Sequence, residues 1–200
     1  TSFIQLKEQL KTDDEKKAFW LNIYNAYTQL LLQKNPEAYQ QRNKFFKAKQ
    51  ILIAGKSFSL DLIEHGLLRR SQWKLGLGYI SKPFPSTLEK KLRIEKEDYR
   101  IHFALNCGAK SCPPIAFYDT DKIEQQLTLA EKVFINNECS YDDDANIAEV
   151  SKIFSWFRGD FHGKKGIIAL MRKHRVVTED TKPGLKFKPY NWSLALKAYD

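Results

Sequence analysis

The 200-residue sequence lacks the features that mark membrane, disulfide-rich or repetitive proteins. No apolar run approaches the roughly 20 residues that a membrane-spanning helix needs, so we expect no transmembrane segment. Three cysteines are too few for a disulfide scaffold, and their odd number leaves at least one thiol free or paired with another chain. Repeats and low-complexity tracts are absent too. The sequence therefore predicts one globular domain over residues 1–200, long enough to bury a core.

Charge of one sign prevails, with 33 Lys and Arg against 24 Asp and Glu and a formal net charge of +9. These basic residues are scattered, and no finger, helix-turn-helix or ribonucleoprotein motif accompanies them. We therefore interpret them as the solvated face of a basic protein and expect no specific nucleic-acid binding. The first residue is Thr1 rather than Met, which we interpret as the result of trimming. We expect a periplasmic or otherwise exported protein, with a cytoplasmic location as the alternative.

Hydrophobic periodicity and turn residues predict a helix-rich α+β domain with a small antiparallel sheet. The longest predicted helix has candidate N-caps at Thr12, Asp13 and Asp14 and a stop at Asn35-Pro36. Gly66 is unfavourable inside a helix by about 1 kcal/mol relative to Ala, which argues against an unbroken helix around it. The predicted elements are helices at 13–34, 59–70, 119–136 and 164–173, hairpins at 50–60 and 137–151, and a central strand at 100–106.

Two asparagines interrupt the apolar surface of the longest predicted helix. Asn22 and Asn25 are three residues apart and therefore lie on one face. A buried amide without partners costs about 1–3 kcal/mol. We predict that both bond to the backbone of a neighbouring loop, with support of a polar site as the alternative role.

The segment from His102 to Pro114 holds two of the three cysteines and one of the four histidines. Four interpretations of Cys107 and Cys112 stay open. The pair could form a disulfide, remain as buried thiols, supply a thiolate nucleophile or bind a metal. A disulfide across this short loop would stabilise the fold by roughly 2 kcal/mol. The spacing is not that of a Cys-x-x-Cys metal site, and no second ligand pair follows.

A thiolate nucleophile would need a nearby histidine to lower its pKa. If residues 101–107 are extended, His102 and Cys107 point to opposite faces and lie about 16 Å apart. His102 is then a poor base unless Cys112 loops back towards it. His65 and His162 are the other candidates, of which we interpret His162 as a surface residue. Glu64 beside His65 would point about 100° away on a helix and could not orient it directly. Each histidine can also be a packing residue without chemistry.

Several segments, taken together in their order, give the chain a family resemblance. They are Phe-Trp-Leu-Asn-Ile-Tyr-Asn-Ala (19–26), Phe-Ser-Leu-Asp-Leu-Ile-Glu-His-Gly-Leu-Leu-Arg (58–69), the segment 102–114, Trp-Phe-Arg-Gly-Asp-Phe (156–161) and Pro-Tyr-Asn-Trp-Ser-Leu (189–194). The chain resembles the domain-of-unknown-function family 547 from about residue 13 to residue 195. The resemblance implies no established activity, and a distant papain- or transglutaminase-like fold is suggested by analogy only.

Two hypotheses of function follow. The first is a cysteine-centred hydrolase or acyl-transfer enzyme, whose candidate residues are Cys107, Cys112, His102, His65, Glu64 and Asn25. The second is a non-catalytic binding or scaffold module of the cell envelope, in which Cys107 and Cys112 are structural. Its partner would be a small molecule, a peptide or a protein. Neither hypothesis calls for a cofactor or a metal. Asp160 is expected to cap a helix or to pair with Arg158, with a catalytic role as the less favoured alternative.

Overall fold

The computed structural model describes residues 2–196, and its architecture is α+β, as predicted. The α-helices are α1 Phe3–Gln9, α2 Asp13–Lys34, α3 Arg42–Lys47, α4 Thr87–Leu92, α5 Ile123–Glu138, α6 Ile153–Trp156 and α7 Gly163–Lys173. The strands are β1 Ile51–Ile53, β2 Lys56–Phe58, β3 Ser140–Asp142, β4 Ile147–Val150 and β5 Gly184–Phe187. Short 3-10 helices cover Pro36–Gln41, Tyr99–Phe103 and Thr120–Lys122, and Leu62–Leu68 forms a π-helix.

The central helix α2 begins and ends where the sequence predicts. The Thr12 hydroxyl accepts the Glu15 N–H at 3.2 Å, and the Glu15 carboxylate accepts the Thr12 N–H at 2.7 Å. This reciprocal capping satisfies two backbone donors that the first turn would otherwise leave unpaired. At the other end, Asn35 precedes a proline, which cannot continue the helix. The buried face of α2 then forms the centre of the first of two apolar clusters.

Two small sheets complete the fold. The hairpin β1–β2 turns at Ala54 and Gly55, whose φ values of 50° and 70° suit a two-residue turn of the primed type. The second predicted hairpin is present as antiparallel β3–β4. The later strand β5 pairs with β4 in parallel, so the larger sheet is mixed rather than purely antiparallel. Its strand order is β3-β4-β5, because the chain passes through α6 and α7 before it returns to the edge of β4.

The strand predicted at 100–106 is wrong. Tyr99–Phe103 is a 3-10 helix, and the Asp98 carboxylate caps it by accepting the Arg100 N–H at 3.1 Å. Residues 101–106 are all buried, and an apolar run that is buried on every side has no periodicity that separates strand from helix. The separation of His102 from Cys107 by strand alternation therefore does not apply.

The helix predicted around Gly66 exists mainly as the π-helix Leu62–Leu68. A Cβ atom at Gly66 would lie 2.8 Å from the Leu62 side chain and 3.1 Å from that of Glu89. The glycine therefore permits close packing of α4 against this turn. Widened helical turns of this kind are frequent at functional sites, and this one carries Glu64 and His65.

The second apolar cluster packs α5, α6 and α7 against the mixed sheet. Phe103, Phe134 and Phe154 are at its centre. Tyr190 packs against both clusters and so lies at their junction. Within residues 2–196, no helix has the length and apolar character needed to cross a membrane.

Candidate functional site

A cavity of about 800 Å³ lies at this junction. Helix α2, the π-helix, the 3-10 helix Tyr99–Phe103, α6 and the C-terminal segment all contribute side chains to it. The lining residues that carry polar or aromatic groups include Tyr24, Glu64, His65, His102, Cys107, Trp156, Phe157, Tyr190 and Trp192. Four of the six candidate residues from the sequence thus meet in one place, whereas Asn25 and Cys112 are outside the lining.

His102 and Asp160 form a buried pair at this cavity. The His102 Nε2 lies 2.7 Å from Asp160 Oδ2, and the imidazole stacks on Phe157 with 4.0 Å between ring centroids. Burial opposes ionisation of Asp160, but hydrogen bonds from His102 and Arg69 outweigh it and lower the pKa of the carboxyl. Because the carboxylate can only accept a hydrogen bond, the His102 Nε2 is the donor and carries a ring hydrogen.

Arg69 binds the same carboxylate through two parallel hydrogen bonds. Its Nε donates to Asp160 Oδ2 at 2.7 Å, and its Nη2 donates to Oδ1 at 2.9 Å. The Arg69 side chain is 1% exposed and that of Asp160 is 11% exposed, so this is a buried ion pair. The prediction that Asp160 pairs with Arg158 is therefore wrong. The Arg158 guanidinium instead lies 5.9 Å from the centroid of the Phe187 ring.

Gly159 brings Asp160 to this position through a close approach of two backbone segments. Its N–H donates to the Leu77 carbonyl at 2.7 Å. A Cβ atom at Gly159 would lie 2.3 Å from the carbonyl carbon of Gly78, which is far too close. Only glycine fits there, so the placement of Asp160 depends on its neighbour in the sequence.

His65 is held as a neutral imidazole. The Arg69 Nη1 lies 2.8 Å from His65 Nδ1, and arginine can only donate, so Nδ1 accepts and the ring hydrogen is on Nε2. Burial lowers the pKa of His65 and the nearby positive charge of Arg69 lowers it further, against the opposing effect of Glu64. In this arrangement neither ring nitrogen of His65 is free to take a proton.

Glu64 is one of two acidic residues that line the cavity within the described part of the chain, the other being Asp61. The Tyr24 hydroxyl donates to its Oε2 at 3.1 Å. Its Oε1 lies 3.7 Å from His65 Nδ1, beyond hydrogen-bond range, so the π-helix brings these neighbours closer than the expected 100° divergence would. Burial alone would raise the pKa of Glu64, but the basic groups His65, Arg69 and His102 and the Tyr24 hydrogen bond lower it. The side chain is therefore a carboxylate at neutral pH.

Cys107 and Cys112 form a disulfide, with their Cα atoms 6.2 Å apart. The Tyr190 hydroxyl lies 3.5 Å from the Cys107 sulfur and 3.3 Å from the Cys112 sulfur. Across residues 2–196, neither sulfur has an imidazole as hydrogen-bond partner. Cys139 is the remaining cysteine; it is buried and free, and burial raises the pKa of its thiol to about 12.

The disulfide loop fastens the C-terminal segment to the body of the protein. Lys110 N–H donates to the Ser193 carbonyl at 2.9 Å, and the Gly108 carbonyl accepts the Ala195 N–H at 2.8 Å. The Ser111 hydroxyl accepts the Asn191 N–H at 2.9 Å. These bonds join the loop to both sides of Trp192.

Three aromatic rings form one wall of the cavity. Tyr190 lies 4.8 Å from Trp156 and 4.6 Å from Trp192, measured between ring centroids. Trp156 and Trp192 are 5.4 Å apart. All three are partly exposed, and all three line the cavity. We call this group, Trp156, Tyr190 and Trp192, the aromatic wall.

The two asparagines of α2 bond to loop backbones, as predicted. Asn22 exchanges two hydrogen bonds with the backbone of Tyr118, at 2.8 and 2.9 Å. The Asn25 amide donates to the Ala104 carbonyl and accepts the Asn106 N–H, each at 2.9 Å. Asn25 is 2% exposed and fixes the backbone that leads into Cys107. Its place is thus behind the cavity wall.

Comparison with known families gives one match. Residues 8–135 match the family model described as "Protein of unknown function, DUF547". The chain belongs to the DUF547 family. The match includes the π-helix and the disulfide loop, whereas Asp160 and the aromatic wall lie beyond residue 135. No curated protein and no solved structure matches the chain. The function of this DUF547 chain therefore has to be inferred from the geometry of its cavity.

Proposed function

We propose that this DUF547 chain is a binding module whose cavity holds a small organic molecule or the side chain of a peptide. The aromatic wall carries the proposal. Ligand sites are typically concave, about 300–1,000 Å³ in volume and mostly apolar, with a few convergent polar groups. The cavity of about 800 Å³ has this size, and Glu64, His65 and His102 are among its polar groups.

In this proposal the disulfide is structural. It ties together the loop that holds Trp192, and it leaves neither Cys107 nor Cys112 as a free thiol. Disulfides persist in oxidising compartments, so the bond favours an exported protein and a role in the cell envelope. The ligand then reaches a preformed aromatic surface, which binds with little loss of conformational entropy.

Binding can be tested with N-phenyl-1-naphthylamine, an uncharged fluorescent probe whose emission rises in apolar surroundings. We expect saturable binding of one probe molecule per chain. Trp156→Ala and Trp192→Ala should each weaken probe binding at least tenfold, because each removes one ring of the aromatic wall. Trp73→Ala is the matched control, since Trp73 is 48% exposed and is not part of the cavity lining. Absence of saturable binding, or equal loss in the Trp73 variant, would contradict the proposal.

Thiol chemistry in the reduced protein is the second candidate. It is favoured by one observation: Cys107 lines the same cavity as His102, whose imidazole is bound to Asp160. After reduction, the Cys107 thiol would pass its proton to His102 Nδ1, and the thiolate would attack the carbonyl carbon of an ester or amide. The bond to the alcohol or amine would then break, the imidazolium would return the proton to that leaving group, and a thioester on Cys107 would remain, while Asp160 orients the imidazole.

The reduced protein tests this candidate by its reaction with iodoacetamide at pH 7. The candidate predicts that Cys107 is alkylated faster than free cysteine and that His102→Gln slows the reaction about tenfold or more. Alkylation at the rate of free cysteine, unchanged in the His102 variant, would exclude it.

A further inference from the structure

Resting on the proposed binding role, we propose that the ligand carries a protonated primary or secondary amine, which donates a hydrogen bond to Glu64. The carboxylate lies in the cavity lining with 15% of its side chain exposed. Only one of its oxygens, Oε2, accepts a hydrogen bond from a residue that the structure describes. The other oxygen, Oε1, is available to a donor that the ligand supplies.

The other charged groups near Glu64 already have partners. Arg69 makes two hydrogen bonds to Asp160, at 2.7 and 2.9 Å. Lys74 donates to both oxygens of Asp61, at 2.8 and 2.9 Å. Glu64 has no comparable ion pair, since its neighbour His65 is neutral and offers it only an acceptor nitrogen. A buried carboxylate in this state favours a positively charged ligand group.

The remaining cations of the lining are placed differently. The Arg42 guanidinium stacks on the ring of Trp192 at 4.7 Å and lies 5.5 Å from that of Tyr39. Lys44 is exposed to solvent. Neither residue has an ion pair or hydrogen bond with Glu64 within residues 2–196. They therefore leave the acceptor Oε1 unoccupied.

The aromatic wall specifies the rest of the ligand. Aromatic faces attract ammonium groups and also stack on planar or aliphatic bodies. A quaternary ammonium has no hydrogen to give to Oε1, so the pair of a free carboxylate oxygen and an aromatic wall favours a primary or secondary amine attached to an apolar body. An amino terminus, a lysine side chain and an arylalkylamine share this chemistry.

Three indoles of similar shape and different charge provide the test. Tryptamine is cationic, tryptophol is neutral and indole-3-propionate is anionic, and each is titrated against bound N-phenyl-1-naphthylamine. We expect tryptamine to displace the probe at a concentration at least tenfold lower than tryptophol does, since a hydrogen bond between charged groups is among the stronger kinds. Glu64→Gln should reduce that ratio to near one. Glu179→Gln, at an exposed position outside the lining, should preserve it.

The outcomes distinguish a failure of the amine assignment from a failure of the proposed binding module. A failure of N-phenyl-1-naphthylamine to bind the wild-type protein contradicts the binding module itself. Probe binding with equal displacement by tryptamine and tryptophol overturns only the assignment of an amine. Stronger displacement by indole-3-propionate overturns it too, and would place the ligand charge on Arg42 and Lys44. The wild-type ratios decide the matter even if the Glu64 variant does not fold.

Discussion

The Arg69 guanidinium joins two histidines of the cavity, because it donates to Nδ1 of His65 at 2.8 Å and binds the carboxylate of Asp160, the partner of His102. One buried cation thus sets the tautomer of one imidazole and the orientation of the other. Phe157 supports both arrangements, since its ring stacks on His102 and faces the guanidinium of Arg69 at 4.6 Å. The polar side of the cavity is consequently a fixed network.

The protonation state of His65 gives a dependence of stability on pH. Its folded-state pKa is lowered, so below the unfolded-state pKa of about 6.5 the unfolded chain takes up a proton that the folded protein resists. The contribution to the free energy of unfolding is therefore fully present above pH 6.5 and falls as the pH drops. We expect urea unfolding between pH 7 and pH 5 to show a shallower fall for His65→Asn, whose amide oxygen can still accept from Arg69.

Nuclear magnetic resonance of the His65 ring measures its tautomer and protonation directly. We expect the neutral tautomer with hydrogen on Nε2 at pH 6.5. A ring protonated on both nitrogens at that pH, or one with hydrogen on Nδ1, would show that Arg69 does not donate to it.

Replacement of Asp160 tests the buried ion pair. Asp160→Asn leaves the Arg69 charge buried without its counter-charge, and loss of one partner of such a pair typically costs about 3–5 kcal/mol in the free energy of unfolding. Asp143→Asn, at the exposed tip of the hairpin β3–β4, should change it by less than about 0.5 kcal/mol. Similar small changes in both variants would mean that Arg69 and Asp160 are not paired in solution.

Removal of the disulfide should affect both stability and binding. The double variant Cys107→Ser with Cys112→Ser should lose about 2 kcal/mol in the free energy of unfolding, as expected for a loop of this length. Because the loop bonds to both sides of Trp192, we also expect weaker binding of N-phenyl-1-naphthylamine. Cys139→Ala controls for loss of a buried cysteine outside the cavity and should leave probe affinity unchanged. Wild-type affinity in the double serine variant would show that the loop does not hold the aromatic wall.

Local signals in the sequence predicted much of the fold. Thr12 was one of three candidate N-caps for α2, and the hairpin predicted at 50–60 is present as β1–β2. The strand at 100–106 was wrong because its residues are buried on all sides, which removes the periodicity that separates strand from helix. Pairing of β5 with β4 depends on a distant return of the chain, which no local pattern encodes.

The site was predictable only in part, because contacts between residues distant in the sequence leave no local pattern. Cys107, His102, His65 and Glu64 were recognised from their chemistry, and the structure brings all four to one cavity. Arg69 was missed, although it follows His65 by four residues, a spacing that places two side chains together on a helical face. The pairing of His102 with Asp160 joins positions 58 residues apart, and the fold alone creates it.

Titration of the folded, air-oxidised protein with Ellman's reagent tests most directly whether the disulfide is closed beside the binding cavity. We predict no fast-reacting thiol, because Cys107 and Cys112 are bonded to each other and the pKa of the buried Cys139 is raised to about 12. After reduction with dithiothreitol and its removal, two thiols should react, those of Cys107 and Cys112. A single fast-reacting thiol before reduction would contradict the account and favour a cysteine nucleophile.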